Sequence, residues 1–400
     1  RMLALRAGRS MRFSRQDAGP AGRCAVSLAS ALVVGNEAVP QLAEEAFCEA
    51  LARTGDKQAN CVLLYLTGEF TRQAQAVVTA VARVARCTQI IGGIAAGVFT
   101  DRAWALDRPA VAVMVFTGEL SLAPPETPSS LAESDSAILI SCAGNHLPTG
   151  WADRPLRCGG TFNGRPGRNE PLTWQQARLA AHSSARLVGG RLDVAVSRGW
   201  QLLTEPLRVD ATRAYDLQQI GGVKALGSLL RHLPPELRNH AHLPLAALCA
   251  VTFADRVPVD RAAAQEAVAD GSAQPLAIIA GNADQSLTLA DRLLPGQFVA
   301  WAARTPLATA GDMRHSLARL SLQTPAPIGA LVFSCIGRGP YFYDGDDRDV
   351  DCLRERFPGI PLIGTYGTGQ LAPDPTTGWR RIQNAVVSAL ISASPPGNDV

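Results

Sequence analysis

Two Ser-Cys-x-Gly strings follow apolar runs in this sequence, Ser141-Cys142-Ala143-Gly144 after AILI and Ser334-Cys335-Ile336-Gly337 after ALVF. A thiol at a strand end can act as a nucleophile only with a base and oxyanion donors beside it. His146, four residues after Cys142, is a candidate base, and no sequence rule supplies the rest. Both thiols are therefore expected as small buried hydrophobes, and no catalytic constellation is expected. Arg338 stands between Gly337 and Gly339, where a guanidinium can clamp a carboxylate or phosphate bidentately. Its rival partners are Asp344, Asp346 and Asp347 just downstream. His240 and His242 would share one face of an extended segment, but only His232 offers a third ligand, so an exposed loop is expected rather than a metal site. The string GGIAAG at 92–97 lacks the spacing of a dinucleotide loop, and its glycines read as tight turning. Haem would need an axial side chain such as His146, His182 or His315, and the sequence does not choose among them.

The elements that would position these residues repeat. CVLLYLTGEF, then the amphipathic QAQAVVTAVARVARC, then TQIIGGIAAGVFTD form a strand, helix and strand running into a glycine-rich turn. GALVFSCIGRGPYFYDG, DRDVDCLRERFPG and IPLIGTYGTGQLAP follow the same order near the C-terminus. Each unit closes on an apolar strand, at 109–116 and 383–392. Continuous buried runs separated by helices are how parallel sheet units are written. The expectation is an α/β protein of two pseudo-repeated lobes, with largely parallel or mixed sheets flanked by helices. A third, imperfect copy runs from AILISCAG at 137–144 through RCGGTFNGRPG to 203, with its helix shortened and WQQARLAAHSSARL read as helical. Strands are also expected on either side of the polar turn in 203–222, at 243–253 and at 275–290, with a turn at Asp270-Gly271. KALGSLLRHLP reads as a helix stopped at Pro234. The proline-marked stretch near 225–245 suggests a boundary between modules at 25–232 and 243–392, flanked by a flexible leader at 1–24 and a disordered tail at 393–400.

Composition narrows the function classes. The 400 residues are 47% hydrophobic and 18% charged, enough to bury sizeable cores. A net charge of +3, from 38 basic and 35 acidic residues without long like-charge runs, shows no nucleic-acid footprint. Only Lys57 and Lys224 are lysines, and no P-loop lysine is present. Nine scattered cysteines without metal-finger spacing suggest a reducing, cytoplasmic setting. No apolar stretch is long enough to span a bilayer.

Taken in order, GALVFSCIGRG at 329–339, FPGIPLIG at 357–364, TYGTGQLAP at 365–373 and the middle string 194–230 resemble the FIST sensory family. ANCVLLYLTGEF and IIGGIAAGVFTD resemble its N-terminal module, so the resemblance spans about 25–392. It implies an intracellular small-ligand-binding protein that signals through a separate partner. Some proteins resembling the family bind haem and report nitric oxide. Ser334, Cys335, Gly337, Arg338 and Gly339 are expected to form one wall of the pocket, and Thr365, Tyr366, Gly367, Gly369 and Gln370 the other, at the carboxyl ends of the strands. Family members commonly carry Asn at Ile336 and Glu at Gln370. Loss of that carboxylate favours a neutral or anionic ligand over a cationic one.

Overall fold

The computed structural model describes residues 27–125, 137–144, 146–151, 155–162, 173–238, 242–253 and 257–394. The expected leader at 1–24, the end of the expected tail from 395 and His240 lie outside them. The apolar runs at 61–67, 110–116 and 329–335 become strands buried at every residue. The first repeat runs β1 (Leu28–Val34), α1 (Pro40–Thr54), β2 (Cys61–Thr67), α2 (Ala74–Ala85), β3 (Ile90–Ala95), β4 (Gly97–Thr100), β5 (Trp104–Leu106) and β6 (Ala110–Phe116). In α1, Ala43, Ala46, Phe47 and Ala50 are buried, the spacing that puts one stripe of a helix on a sheet.

The second repeat has the same strands, with no counterpart of α1 or α2 among the described residues: β7 (Ser121–Ala123), β8 (Leu139–Ala143), β9 (Arg157–Thr161), β10 (Thr173–Gln175), β11 (Arg178–Ala180) and β12 (His182–Val188). The third begins with β13 (Gly190–Ser197) and is interrupted by β14 (Gln201–Leu202), β15 (Leu207–Arg213), β16 (Asp216–Ile220), β17 (Val223–Lys224), α3 (Ala225–His232), α4 (Pro235–Arg238), β18 (Leu248–Phe253), α5 (Arg261–Asp270), β19 (Ala273–Gly281), β20 (Leu287–Leu289) and β21 (Phe298–Ala303). It resumes with α6 (Pro306–Gln323), β22 (Gly329–Cys335), α7 (Arg348–Arg356), β23 (Leu362–Gly367), β24 (Gly369–Asp374), β25 (Gly378–Ile382) and β26 (Val386–Ala393).

Three six-stranded mixed sheets result, in the orders β1-β6-β2-β3-β10-β11, β7-β12-β8-β9-β24-β25 and β13-β26-β22-β23-β4-β5. Position for position the three are the same sheet. In each, one parallel pair (β2/β3, β8/β9, β22/β23) sits centrally. The outer hairpin is contributed by a different repeat: β10–β11 of the second joins the first, β24–β25 of the third joins the second, and β4–β5 of the first joins the third. This exchange links the repeats in a ring. Register makes the equivalence concrete, because Leu64, Ser141 and Val332 pair with Gly92, Gly159 and Gly364. Gly364 admits its exchanged hairpin, since a Cβ there would come within 2.1 Å of the Phe99 ring, while a Cβ on Gly92 would meet the carbonyl oxygen of its parallel partner Leu64 at 1.8 Å and the Trp174 indole of the exchanged hairpin at 3.1 Å. The neighbouring register position carries Tyr65, Cys142 and Phe333, which meet in the shared core. The Tyr65 and Phe333 rings stand edge to face at 6.4 Å, and Tyr65 Oη lies 3.7 Å from Cys142 Sγ.

The interruption closes on itself. β21 pairs with β15 on one side and β18 on the other, and β16, β20 and β19 complete the circuit, giving a small antiparallel barrel. Its core holds Trp301, whose indole N–H donates to Ser228 Oγ on α3 at 3.0 Å. The mixed α/β architecture with helix-flanked sheets is as the sequence indicates, and the suspected extra copy at 137–203 supplies the second repeat through β8–β12, its last strand β13 opening the third repeat.

Three local expectations are corrected. WQQARLAAHSSARL is a hairpin and a strand, because Gln176 and Ala177 both take positive φ and turn the chain sharply. Asp270-Gly271 ends a helix, with Gly271 in the left-handed C-cap, rather than joining two strands directly. The expected boundary near 225–245 is flanked by strands that pair with each other, β16 with β20 and β14 with β21, so it does not separate two sheets among the described residues.

Candidate functional site

The corner after β22 gathers the residues that the sequence singles out, and turns them inward. Arg338 is fully buried. Its Nε and Nη2 donate to Asp349 Oδ2 and Oδ1 at 3.1 and 2.7 Å, and its Nη1 donates to Ser197 O and Oγ at 2.8 and 2.9 Å. The partner is thus Asp349 of α7, not Asp344, Asp346 or Asp347. Burial opposes the charge, but the facing Asp349 holds the guanidinium firmly protonated. Asp347 caps α7 through Asp349 N and Val350 N and accepts from the Tyr366 hydroxyl. Burial, then the neighbouring Asp349, lifts its carboxyl to about 6. As a ligand clamp Arg338 is therefore a correction: its guanidinium is committed to the fold.

The remaining expected wall residues lie in packed strands. Ser334, Thr365, Tyr366 and Gln370 are buried, and Gly367 and Gly369 belong to β23 and β24. Gly339 lets the Tyr366 ring approach, and a Cβ on Gly337 would stand 2.9 Å from Asn384 Oδ1. With its amide oriented to satisfy its neighbours, Gln370 donates to Ile382 O and Ala385 O and accepts from Cys335 N. Cys335 Sγ faces Asn384 Oδ1 at 3.9 Å. Cys335, Gly337 and Gln370 thus shape and hold the segment 382–385.

That segment is one side of a cleft of about 590 Å³ between the barrel and the sheet core. Leu245, Leu248, Pro275, Ala277 and Ile278 supply an apolar barrel wall, and Ile382, Gln383 and Asn384 face it. Asn384 is held at φ +55, a conformation Asn tolerates better than most residues. Four arginines line the space, Arg198, Arg304, Arg380 and Arg381, with no acidic residue among the described lining.

Arg304 follows β21 directly and precedes the Thr305 N-cap of α6. It is only 7% exposed, yet its Nε and Nη1 have no hydrogen-bond partner among the described residues. Nη2 reaches the Ala246 carbonyl at 3.4 Å. Its guanidinium carbon lies 5.2 Å from the Trp200 ring and 5.5 Å from that of Phe342. Burial, then the nearby Arg338, pushes its pKa down. Arg198 Nε is likewise buried without a partner, and burial, then Arg380, lowers its pKa. Arg380 is tied to Asp374 at 2.7 Å. Sequence reasoning missed Arg304 and the cleft arginines. The available signal was an arginine between the apolar strand FVAWAA and the Thr-Pro helix start.

Residues 249–373 match the FIST C domain. This stretch is a FIST C domain. It contributes Cys249, Gln274, Pro275, Ala277, Ile278 and Arg304 to the cleft, while Arg198, Trp200 and 380–384 lie outside the match. A 79-residue stretch is 32% identical to an uncharacterized protein of Mycobacterium tuberculosis, covering 20% of this chain and 21% of that protein. Another of 63 residues is 35% identical to an uncharacterized protein of Mycobacterium bovis, covering 16% of each. The matched stretch thus spans about a fifth of the length of the first relative. FIST domains belong to a family linked to small-ligand sensing and signal transduction.

The other chemical candidates stand apart from the cleft. Cys142 is buried beside Tyr65, and burial pushes its thiol up to about 11, so the nucleophilic thiolate is disfavoured at neutral pH. His146 is exposed, as are His182, His232, His242 and His315. None of these histidines lines the cleft, so the donor set there does not fit histidine-ligated haem. No helix among the described residues is long and apolar enough to cross a membrane.

Proposed function

We propose that this FIST C domain protein is a small-ligand sensor, and that its ligand binds in the cleft between the barrel and the sheet core. The observation that carries the reading is the cleft's construction. Its size suits a small molecule, its barrel wall is apolar, and Gln274, Gln383 and Asn384 offer amides to orient a guest. The barrel joins the core by two chain crossings, 198–200 and 304–305, so a ligand touching both walls favours the arrangement that brings them together. The first crossing is gripped by α6, where Asp312 Oδ2 accepts from Ser197 Oγ at 2.6 Å and Gly199 N at 2.9 Å.

The signal then passes to a separate partner that reads the barrel's position, with the sequence N-terminal to the FIST C domain acting as its companion module. The eight described cysteines are unpaired thiols, which suits the cytoplasm. The function is binding rather than catalysis. Ala277 faces the cleft and is exposed, so Ala277→Trp should fill the space without disturbing the barrel core. Thermal-shift screening against amino acids, small carboxylic acids and phosphorylated metabolites should give saturable stabilisation of the wild type and none of Ala277→Trp. Stabilisation that is indifferent to Ala277→Trp would place the ligand elsewhere.

A further inference from the structure

We infer that the cleft is an anion site, in which Arg304 binds a carboxylate or phosphate carried on a small body that packs against the apolar barrel wall. This rests on the cleft being the ligand site and names the class of its ligand. A guanidinium carries five N–H donors in a planar fork, and buried ones are almost always paired. Arg304 has two donor atoms, Nε and Nη1, without partners at 7% exposure, while lining an open cleft. The flanking rings of Trp200 and Phe342 stabilise the cation through their faces but accept none of these in-plane hydrogen bonds.

Charge points the same way. Arg198 and Arg381 line the cleft beside Arg304, and the Asp374 carboxylate near its edge is engaged by Arg380. A positive hollow with low-dielectric walls attracts an anion and repels a cation. Arg304 also precedes an 18-residue helix, α6, whose N-terminal end adds positive potential. A carboxylate or phosphate bridges a guanidinium along one edge, Nη1 with Nη2 or Nε with Nη2, so a guest anion would pair Nη2, whose one contact to the Ala246 carbonyl is long at 3.4 Å, with one of the two unpartnered nitrogens.

Thermal unfolding at fixed ionic strength tests this, with inorganic phosphate, acetate and citrate as probes on wild type, Arg304→Met, Arg304→Lys and Ala277→Trp. At least one probe should stabilise the wild type saturably, the folded-to-unfolded ratio rising roughly 100-fold at 100 times Kd. Phosphate alone acting identifies a phosphoryl ligand, and acetate or citrate alone a carboxylate. The effect should vanish in Arg304→Met and Ala277→Trp and weaken in Arg304→Lys, which keeps charge without the fork. No saturable effect of any probe on the wild type overturns the inference, as does an undiminished effect in Arg304→Met. If neutral compounds stabilise the wild type and Arg304→Met equally but not Ala277→Trp, the cleft remains the ligand site and only the anion assignment falls. Should Arg304→Met fail to fold, Arg304→Lys decides: unchanged affinity contradicts bidentate binding.

Discussion

Arg338 and Arg304 are two buried arginines of one FIST C domain, one closed by its surroundings and the other left open. Arg338 makes four hydrogen bonds, two of them to a facing carboxylate, and its neighbourhood reads as structure. Arg304 has comparable burial, no acidic partner among the described residues, and a cleft in front of it. A glycine-flanked arginine in a recognisable motif is thus the one that holds the fold together. The arginine in plain sequence is the one left free to meet a guest. What separates them is partner satisfaction, which only three-dimensional packing reveals.

The largest test of this contrast is to remove each arginine's counterpart. Asp349→Ala leaves Arg338 charged and buried, and should cost roughly 3–5 kcal/mol in urea unfolding, enough to threaten the fold. A cost below about 1 kcal/mol would show that the corner is not the structural member of the pair.

The same corner should show itself in pH dependence. Burial and Asp349 raise the Asp347 carboxyl from 3.8 to about 6, so the folded state binds its proton more tightly than the unfolded chain does. Its contribution is therefore complete below pH 3.8 and is lost as pH rises through about 6. Asp347→Asn keeps an acceptor for the helix cap, and should flatten the decline between about pH 4 and 6 by up to roughly 3 kcal/mol, read from urea midpoints across that window. An identical pH profile would contradict the raised carboxyl.

Arg304→Met should instead fall within about 1 kcal/mol of wild type, or be more stable, because it removes a buried charge without a partner. A loss as large as that of Asp349→Ala would make Arg304 structural too. The smallest effect concerns the thiols. Exposed Cys48 should label with iodoacetamide near neutral pH well before buried Cys142 or Cys335 in peptide mapping, and fast labelling at Cys142 would reopen its role as a nucleophile.

Much of the fold is legible in the sequence because buried strands announce themselves locally. CVLLYLT and GALVFSC read as parallel-unit strands and are buried at every residue. The second repeat is harder to read because it has no counterparts to the helices α1 and α2 among the described residues, and its short strands β10 and β11 carry the polar alternation of an exchanged hairpin. The exchange itself is invisible, since Gly92 and Trp174 are paired by the ring of sheets and not by proximity in the chain. The expected pocket residues were half informative. Cys335, Gly337 and Gln370 do stand at the cleft's edge, but they support Asn384 and Ile382 instead of lining the space themselves. Arg304's one local signature is its place between FVAWAA and the Thr-Pro helix start, and its partners Trp200 and Phe342 come from opposite sides of it in the sequence.

The most direct test is the electron density of the cleft in crystals of the as-purified protein grown without added phosphate or carboxylate, or after soaking with whichever probe stabilises it. An anionic group with two oxygens about 2.7–2.9 Å from Arg304 Nη2 and from its Nη1 or Nε is the predicted result. A cleft holding water alone at saturating probe, or a probe bound away from Arg304, would contradict it.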